Sequence, residues 1–329
     1  MKKQIAVLST GGTISTRFNS HAGGLIPSLS AESLLSEISG LADVDVSIVT
    51  DNIARVNSSC LSSATLLEIR DRVGDYLLDP QIDGIVVTHG TGLMEETAFF
   101  LDITLDVCKP VVFTGAQRSC EEPDSDGPRN LEDAIRVAAH PDAVGQGVMI
   151  VFDGEIYAAR DVTKRHSYGL HAFGAGLHGA LGYLCADGIH FFRRAMRPKP
   201  ISVTHPEFNV DLIKFCLGAD ARFIDCSVAS GARGIVIEAS GTGNVNYDFY
   251  KGIERAIRAG VTVGIVAKTT EGRALAVYAN TGGGVTLLRL GALFLGDLSG
   301  QKARLLLMAA LGDERTSEQA APLVRQQII

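Results

Sequence analysis

The sequence has no concentration of positive charge. Its formal net charge is −7, from 30 Lys and Arg against 37 Asp and Glu, and the nearest approach to a basic cluster is Arg193, Arg194, Arg197 and Lys199. A phosphate-backbone binder needs a basic face, so nucleic acid is not an expected partner. Long apolar runs are missing too. None approaches the ~20 residues of a membrane span. The N-terminal Ile5-Ala6-Val7-Leu8 runs into glycines within a few residues, too soon for the apolar region of a secretory signal. The expected location is the cytosol, with no membrane partner. None of the six cysteines (Cys60, Cys108, Cys120, Cys185, Cys216 and Cys226) forms a C-x-x-C pair, and the histidines show no H-E-x-x-H spacing. No metal or cofactor is expected, and most of the cysteines should be reduced and structural.

What is present is a globular composition, 46% hydrophobic and 20% charged. At 329 residues the chain exceeds the size at which one hydrophobic core stops growing, so two domains are expected. Short apolar, β-branched runs at Ile5–Ser9, Gly84–Thr88, Pro110–Thr114 and Val148–Phe152 read as strands. Between them lie stretches of helical period. Ser30–Leu41 puts Leu34, Leu35, Ile38 and Leu41 on one face; Ser63–Leu78 and Glu95–Val107 follow the same pattern. Such alternation argues a parallel sheet covered on both faces. Pro198, Pro200 and Pro206 mark a linker, after which strands at Gly234–Ala239 and Val261–Ala267 alternate with helices at Asn246–Ala259 and Gly300–Leu311. The expected fold is α/β: a larger N-terminal parallel-sheet domain over residues 1–192, a linker over 193–208, and a smaller C-terminal α/β domain over 209–329.

Three motifs carry candidate chemistry. Ser9-Thr10-Gly11-Gly12-Thr13-Ile14 follows the first strand directly, where ligands of open α/β sheets bind. Its glycines allow a sharp turn that leaves amides free for an anion. Neither G-x-G-x-x-G nor G-K-[ST] stands there, so the loop is neither a dinucleotide fingerprint nor a P-loop. The second motif, Val87-Thr88-His89-Gly90-Thr91-Gly92-Leu93-Met94-Glu95-Glu96-Thr97, again puts a hydroxyl at a strand end ahead of a helix. Thr91 there reads equally as a helix N-cap. The third, Arg160-Asp161-Val162-Thr163-Lys164, holds a lysine. Desolvated beside a hydroxyl, Lys164 would relay protons; alone, it reads as a surface lysine.

Taken together and in order, these segments resemble the bacterial L-asparaginases. The resemblance rests on Thr10-Gly11-Gly12-Thr13-Ile14, on Thr88-His89-Gly90-Thr91 with Met94-Glu95-Glu96-Thr97, on Gly115-Ala116-Gln117-Arg118, on Asp126-Gly127-Pro128 with Asn130-Leu131, and on Arg160-Asp161-Val162-Thr163-Lys164. It extends to Gly243-Asn244-Val245-Asn246 and Gln301-Lys302-Ala303-Arg304, and so spans nearly the whole chain. The resemblance implies an amidohydrolase of two α/β domains that needs no metal or cofactor. It implies a homodimer or homotetramer whose active sites are shared between subunits, acting on a small amide. By position it makes Thr13 the nucleophile that forms the acyl-enzyme and Thr91 and Lys164 the second threonine and its lysine. Ser58, with Ser59 beside it, would hold the substrate α-carboxylate. Gly90 and Gly92 would line the substrate, Asn246 would reach in from the neighbouring subunit, and Arg17–Gly24 would be a mobile lid. Read alone, Ser58 and Ser59 are turn residues and Asn246 is a helix cap.

Two departures from the family pattern stand out. The family usually has Asp where this chain has Gly92, and that carboxylate both pairs with the substrate ammonium and orients the lysine. The lid tyrosine is missing, since no Tyr occurs between Thr13 and Tyr76, and the C-terminal acidic residue has no match around Gly282–Thr286. The expected substrate is therefore an asparagine-like amide, lactam or imide in which the free α-ammonium is absent or masked. The alternative is a weak or inactive relative that binds a small metabolite. Lys164 favours the enzyme, because a lysine beside a hydroxyl is useful chiefly for proton transfer.

Overall fold

A computed structural model of the chain describes residues 2–38, 40 and 44–328. The chain forms two compact units, one running to Arg197 and the other starting at Pro198.

In the first unit β1 (Lys3–Gly11) leads into a hairpin, β2 (Thr16–Asn19) and β3 (Gly24–Pro27). Helix α1 (Ala31–Ser36), β4 (Val46–Val56), α2 (Ser63–Leu78), β5 (Gly84–Thr88), α3 (Met94–Thr104), β6 (Val111–Thr114), α4 (Gly127–Ala138) and β7 (Val148–Phe152) then alternate. They are followed by β8 (Glu155–Ala158), a short ladder of β9 (Thr163–Lys164) and β10 (Phe173–Gly174), and a hairpin of β11 (Gly182–Cys185) and β12 (Gly188–Phe191). The sheet order is β12-β11-β8-β7-β6-β5-β1-β4. Strands β4, β1, β5, β6 and β7 are mutually parallel. Every residue of β5, β6 and β7 is buried, as strands covered on both faces require.

The parallel core matches the expected architecture, but the sheet as a whole is mixed. Strands β8, β11 and β12 run antiparallel. The chain reverses after β7 in a tight turn in which Asp153 (φ 51°) and Gly154 (φ 76°) both adopt left-handed conformations. Asp-Gly is the pair that suits a two-residue hairpin with positive φ at both positions. Helix α1 is shorter than the leucine pattern suggests and stops at Ser36. Leu34 is buried, Leu35 packs on the same core from within the helix, and Ile38 does so beyond its end; Leu41 lies outside the described residues. The cysteines are free, but five of the six are exposed, so they are not core residues.

The second unit contains β13 (Val210–Lys214), α5 (Arg222–Ala229), β14 (Gly234–Ala239), α6 (Tyr247–Arg258), β15 (Thr262–Ala267), α7 (Gly284–Leu290), β16 (Leu293–Phe294), α8 (Gly300–Ala310) and α9 (Ser317–Gln326). Its four strands are parallel in the order β13-β14-β15-β16. Ile235, Ile237, Phe249, Ile253, Ile265 and Leu287 form its core. Among the described residues no helix is long and apolar enough to cross a membrane.

Candidate active site

The polar residues singled out in the first unit gather because four adjacent parallel strands end side by side. In sheet order, β4 delivers Ser58, β1 delivers Thr13, β5 delivers Gly90, Thr91 and Gly92, and β6 delivers Gln117. The crevice beyond the carboxyl ends of such strands is where α/β sheets bind ligands. Glycines set how closely the loops approach. A Cβ on Gly12 (φ 81°) would lie 2.3 Å from the Cα of Gly90, so the loops after β1 and β5 touch backbone to backbone. A Cβ on Gly90 would fall 2.9 Å from Ser58 Oγ, and one on Gly115 would fall 2.4 Å from the His89 carbonyl oxygen. All four loops are thus in contact.

Two hydroxyls there are uncommitted and one is not. Thr13 opens a single 3-10 turn, Thr13–Ser15, and is half-buried; Ser58 opens another, Ser58–Cys60, and is buried. Neither hydroxyl has a hydrogen-bond partner among the described residues. Thr91, by contrast, donates to Gln117 Oε1 (3.0 Å) and accepts from Lys164 Nζ (2.7 Å), while Lys164 Nζ also donates to Gln117 Oε1 (3.0 Å). Thr91 is not a helix cap. That position belongs to Leu93, and the hydroxyl turns toward the lysine instead. Lys164 is half-buried on β9, and burial holds its amine below the ordinary lysine pKa, against the pull of Glu95. Of the acidic residues near it in sequence or motif, Glu95 approaches: its Oε2 accepts from the Lys164 backbone N–H at 3.2 Å. Asp161 instead pairs with Arg193 (3.1 Å).

Amides open to an anion sit on the second loop, and Thr13 N–H on the first has no acceptor among the described residues either. Gly12 N–H is taken by the Val56 carbonyl (3.0 Å), whereas the N–H groups of Gly90, Thr91 and Gly92 have no acceptor among the described residues. His89 is fully buried, and its pKa is pushed down to about 4 by desolvation, only partly offset by its hydrogen bond to Gly90. Its Nδ1 lies 2.8 Å from Gly90 O and its Nε2 3.0 Å from Thr97 Oγ1. A carbonyl only accepts, so Nδ1 carries the proton and the neutral ring braces the Gly90 loop.

Gln117 is the site residue that reasoning from the sequence quoted within a motif but assigned no role. Its loop is held by Asp126, whose carboxylate accepts from the N–H of Gln117 (3.0 Å) and Arg118 (2.9 Å), and from Asn130 Nδ2 (3.1 Å). Asn130 Nδ2 also donates to the Gly115 carbonyl (3.0 Å). The Asp-Gly-Pro-x-Asn segment is therefore the brace of the Gln117 loop, a function its residue types did not reveal. At Gly92 a Cβ would meet only Ser58 Oγ, at 3.1 Å, and the backbone is not left-handed. Ser59 is exposed on the same turn as Ser58. The hairpin β2–β3 following Thr13 is tied down where Thr16 O accepts from Ser119 Oγ (2.9 Å) and where Phe18 N–H donates to Glu121 (2.7 Å).

Asn246 belongs to the second unit. It caps α6, its Oδ1 accepting from Phe249 N–H (2.9 Å), and its Nδ2 donates to the Ala219 carbonyl (2.7 Å). Among the described residues one group offers three metal-ligating atoms within 4.8 Å, namely Cys185, Asp187 and His190 on the β11–β12 hairpin. These side chains hydrogen-bond to one another, and none touches the strand-end loops. The glycine pattern absent after β1 does occur at Gly174-Ala175-Gly176-Leu177-His178-Gly179. It follows a two-residue strand and opens only a 3-10 turn, so it lacks the helix N-terminus that holds a pyrophosphate.

Comparison with known proteins places both units in one family. The N-terminal asparaginase domain model matches residues 4–197, and the glutaminase/asparaginase C-terminal domain model matches residues 209–323. An L-asparaginase of Bacillus licheniformis is 33% identical over 311 residues, covering 94% of this chain and 96% of that protein. L-asparaginase 2 of Bacillus subtilis strain 168 is 33% identical over 319 residues, covering 93% and 82%. The crystal structure of a probable cytoplasmic L-asparaginase from Campylobacter jejuni superposes with a TM-score of 0.86 at 28% identity, over 98% of this chain and 99% of that one.

Proposed function

The chain belongs to the asparaginase family of amidohydrolases, and on that premise we propose that it hydrolyses a small amide through a threonyl acyl-enzyme, with Thr13 as nucleophile. The observation that carries this reading is the Lys164–Thr91–Gln117 triangle beside a loop bearing an uncommitted threonine hydroxyl. A threonine is a poor nucleophile until a base takes its proton, and a desolvated amine serves as that base. Thr13 Oγ attacks the amide carbonyl while its proton passes to the Thr91–Lys164 pair. The open N–H groups of Gly90, Thr91 and Gly92 suit the oxyanion. The C–N bond then breaks, the proton leaves with ammonia, and water cleaves the ester to give the acid and free Thr13. Ser58, with Ser59 beside it, serves the substrate carboxylate. Asn246 completes the site from a neighbouring subunit of a homodimer or homotetramer; a preparation that light scattering finds monomeric yet fully active would end that part of the reading. A cytoplasmic location is supported by the description of the Campylobacter jejuni protein.

The substrate is an asparagine-like amide without a free α-ammonium, because Gly92 offers that cation no charge. Leaving a buried charge unpaired costs on the order of 3–5 kcal/mol, a factor of hundreds to thousands. The test compares ammonia release from L-asparagine and from its des-amino analogue succinamate, in the wild type and in Gly92→Asp. A Cβ at this position meets one atom, Ser58 Oγ at 3.1 Å, which has to give by a few tenths of an ångström. The wild type should prefer succinamate and the variant should swing toward L-asparagine. Efficient wild-type turnover of L-asparagine with succinamate far behind would show that another group meets the ammonium.

A further inference from the structure

We propose that Gln117 is the positioning residue of this site: its side-chain carbonyl holds Lys164 and Thr91 together with a neutral oxygen, leaving the amine free to lose its proton. The inference rests on the functional reading above, in which Lys164 is the base. Gln117 Oε1 accepts from Lys164 Nζ (3.0 Å) and from Thr91 Oγ1 (3.0 Å), and those two donors are themselves in contact at 2.7 Å. One oxygen therefore fixes both ends of the proton path. The other end of the amide is also engaged, Nε2 donating to the Gly169 carbonyl at 3.0 Å and to the His166 carbonyl at 3.5 Å. This fixes which way the amide faces, because a flipped amide would set NH2 against the lysine. The Asp126 brace holds the backbone beneath it.

The charge of the holder matters more than its presence. An opposite charge within about 4–6 Å raises a lysine's pKa by about 1–3 units; a neutral acceptor favours the ammonium through its dipole alone, and so by less. Around Lys164, α3 contributes Glu95, which acts on it electrostatically and whose carboxylate accepts the lysine's backbone N–H. Asp161 is occupied by Arg193. Arg165 and His166 follow Lys164 in the chain, Phe173 and Gly174 face β9 from β10, and the loops after β5 and β6 present neutral Thr91 and Gln117. Burial thus outweighs the pull of Glu95 on the amine, and among the described residues no carboxylate hydrogen-bonds to its Nζ, the state a base needs at moderate pH. A glutamate of the same length at position 117 would hold the proton instead.

The experiment uses Gln117→Glu and Gln117→Met in the full-length protein, with folding checked by circular dichroism. Lys164 is followed directly by NMR of lysine labelled at Cε, its signal assigned by its loss in Lys164→Met. Turnover is measured against pH with whichever of succinamate or L-asparagine is the better substrate. In Gln117→Glu the Lys164 titration and the rising limb of kcat/KM should move together to higher pH, by about 1–3 units. Activity lost near neutrality should then return on the alkaline side. Gln117→Met should lose kcat by about 10–100-fold with KM little changed and no alkaline recovery. A purely structural glutamine would lower activity equally in both variants and leave the titration where it was. An unmoved Lys164 signal in Gln117→Glu, or wild-type kcat in Gln117→Met, overturns the proposal. Wild-type turnover in Lys164→Met would instead overturn the reading of Lys164 as base, a failure the NMR measurement keeps separate.

Discussion

Lys214 ends β13 in the second unit, and Lys164 lies against the loops after β5 and β6 in the first. Both stand near the carboxyl ends of parallel strands. Lys214 has 59% of its side chain exposed and faces the Glu238 carboxylate at 3.3 Å, an ordinary surface ion pair of little energetic consequence. Lys164 is half-buried, and among the described residues its amine hydrogen-bonds to neutral oxygens, on Thr91 and Gln117. The same contrast runs through the two sheets. In the second unit Ser240 closes onto the Asn244 carbonyl and Asn246 caps its own helix, so both are committed to their own loops. In the first, Thr13 and Ser58 keep hydroxyls that bind no neighbouring group among the described residues. Whether a lysine is a solvated cation or a base follows from burial and from the charge of its neighbour, not from its position in the topology.

The comparison is broken or sharpened most severely at Thr13. Thr13→Ala should lower turnover of any accepted amide by at least about 10³-fold, as loss of a nucleophile does. Retained turnover, measured as ammonia release, would transfer the chemistry elsewhere in the first unit. Next come the lysines as a matched pair. Lys164→Met should cost about 10²–10⁴-fold, the range for a general base. It should also abolish the rise of kcat/KM with pH, because a base acts when deprotonated and burial places that event below the ordinary lysine value of 10.5. Lys214→Met should leave both unchanged. Equal losses in the two variants would mean the contrast between the units is not functional. The smallest effect is on stability. His89 has its folded pKa lowered to about 4, from 6.5, so below pH 6.5 the unfolded chain binds the proton more readily. Its contribution is intact above pH 6.5 and is lost as the pH falls toward 4, approaching about 3 kcal/mol at 1.36 kcal/mol per unit. Chemical denaturation of the wild type and His89→Gln at pH 7 and pH 4.5 reads this directly, and parallel losses in both proteins would assign the acid sensitivity to other groups.

Much of the fold was legible in the sequence. Continuous apolar β-branched runs gave β5, β7 and β14 to the residue, because a strand buried on both faces admits little else. The antiparallel part of the first sheet was missed although its signal was present. Asp153-Gly154 is a hairpin pair, but Glu155-Ile156-Tyr157-Ala158 is short and half-polar at its start, so periodicity alone does not raise it. Helix α1 was overextended because Ile38, past its end, still packs on the core. At the site, Thr13, Thr91 and Lys164 were visible through motif order. Gln117 was not, because a glutamine in a loop has no distinguishing spacing, and the brace from Asp126 crosses nine positions.

By itself the sequence determined the family, the two-unit α/β plan and the set of side chains able to do chemistry, because these depend on residue type, period and order along the chain. Tertiary structure decided what those side chains are. The packing of four strand ends turned a threonine that reads as a helix cap into a partner of Lys164. It made His89 a neutral strut, and it set the Gln117 side-chain oxygen against both Lys164 and Thr91. Protonation, hydrogen-bond partnership and burial are properties of neighbours in space, and residues 91, 117 and 164 become neighbours only when the sheet brings β5, β6 and the β9 segment together.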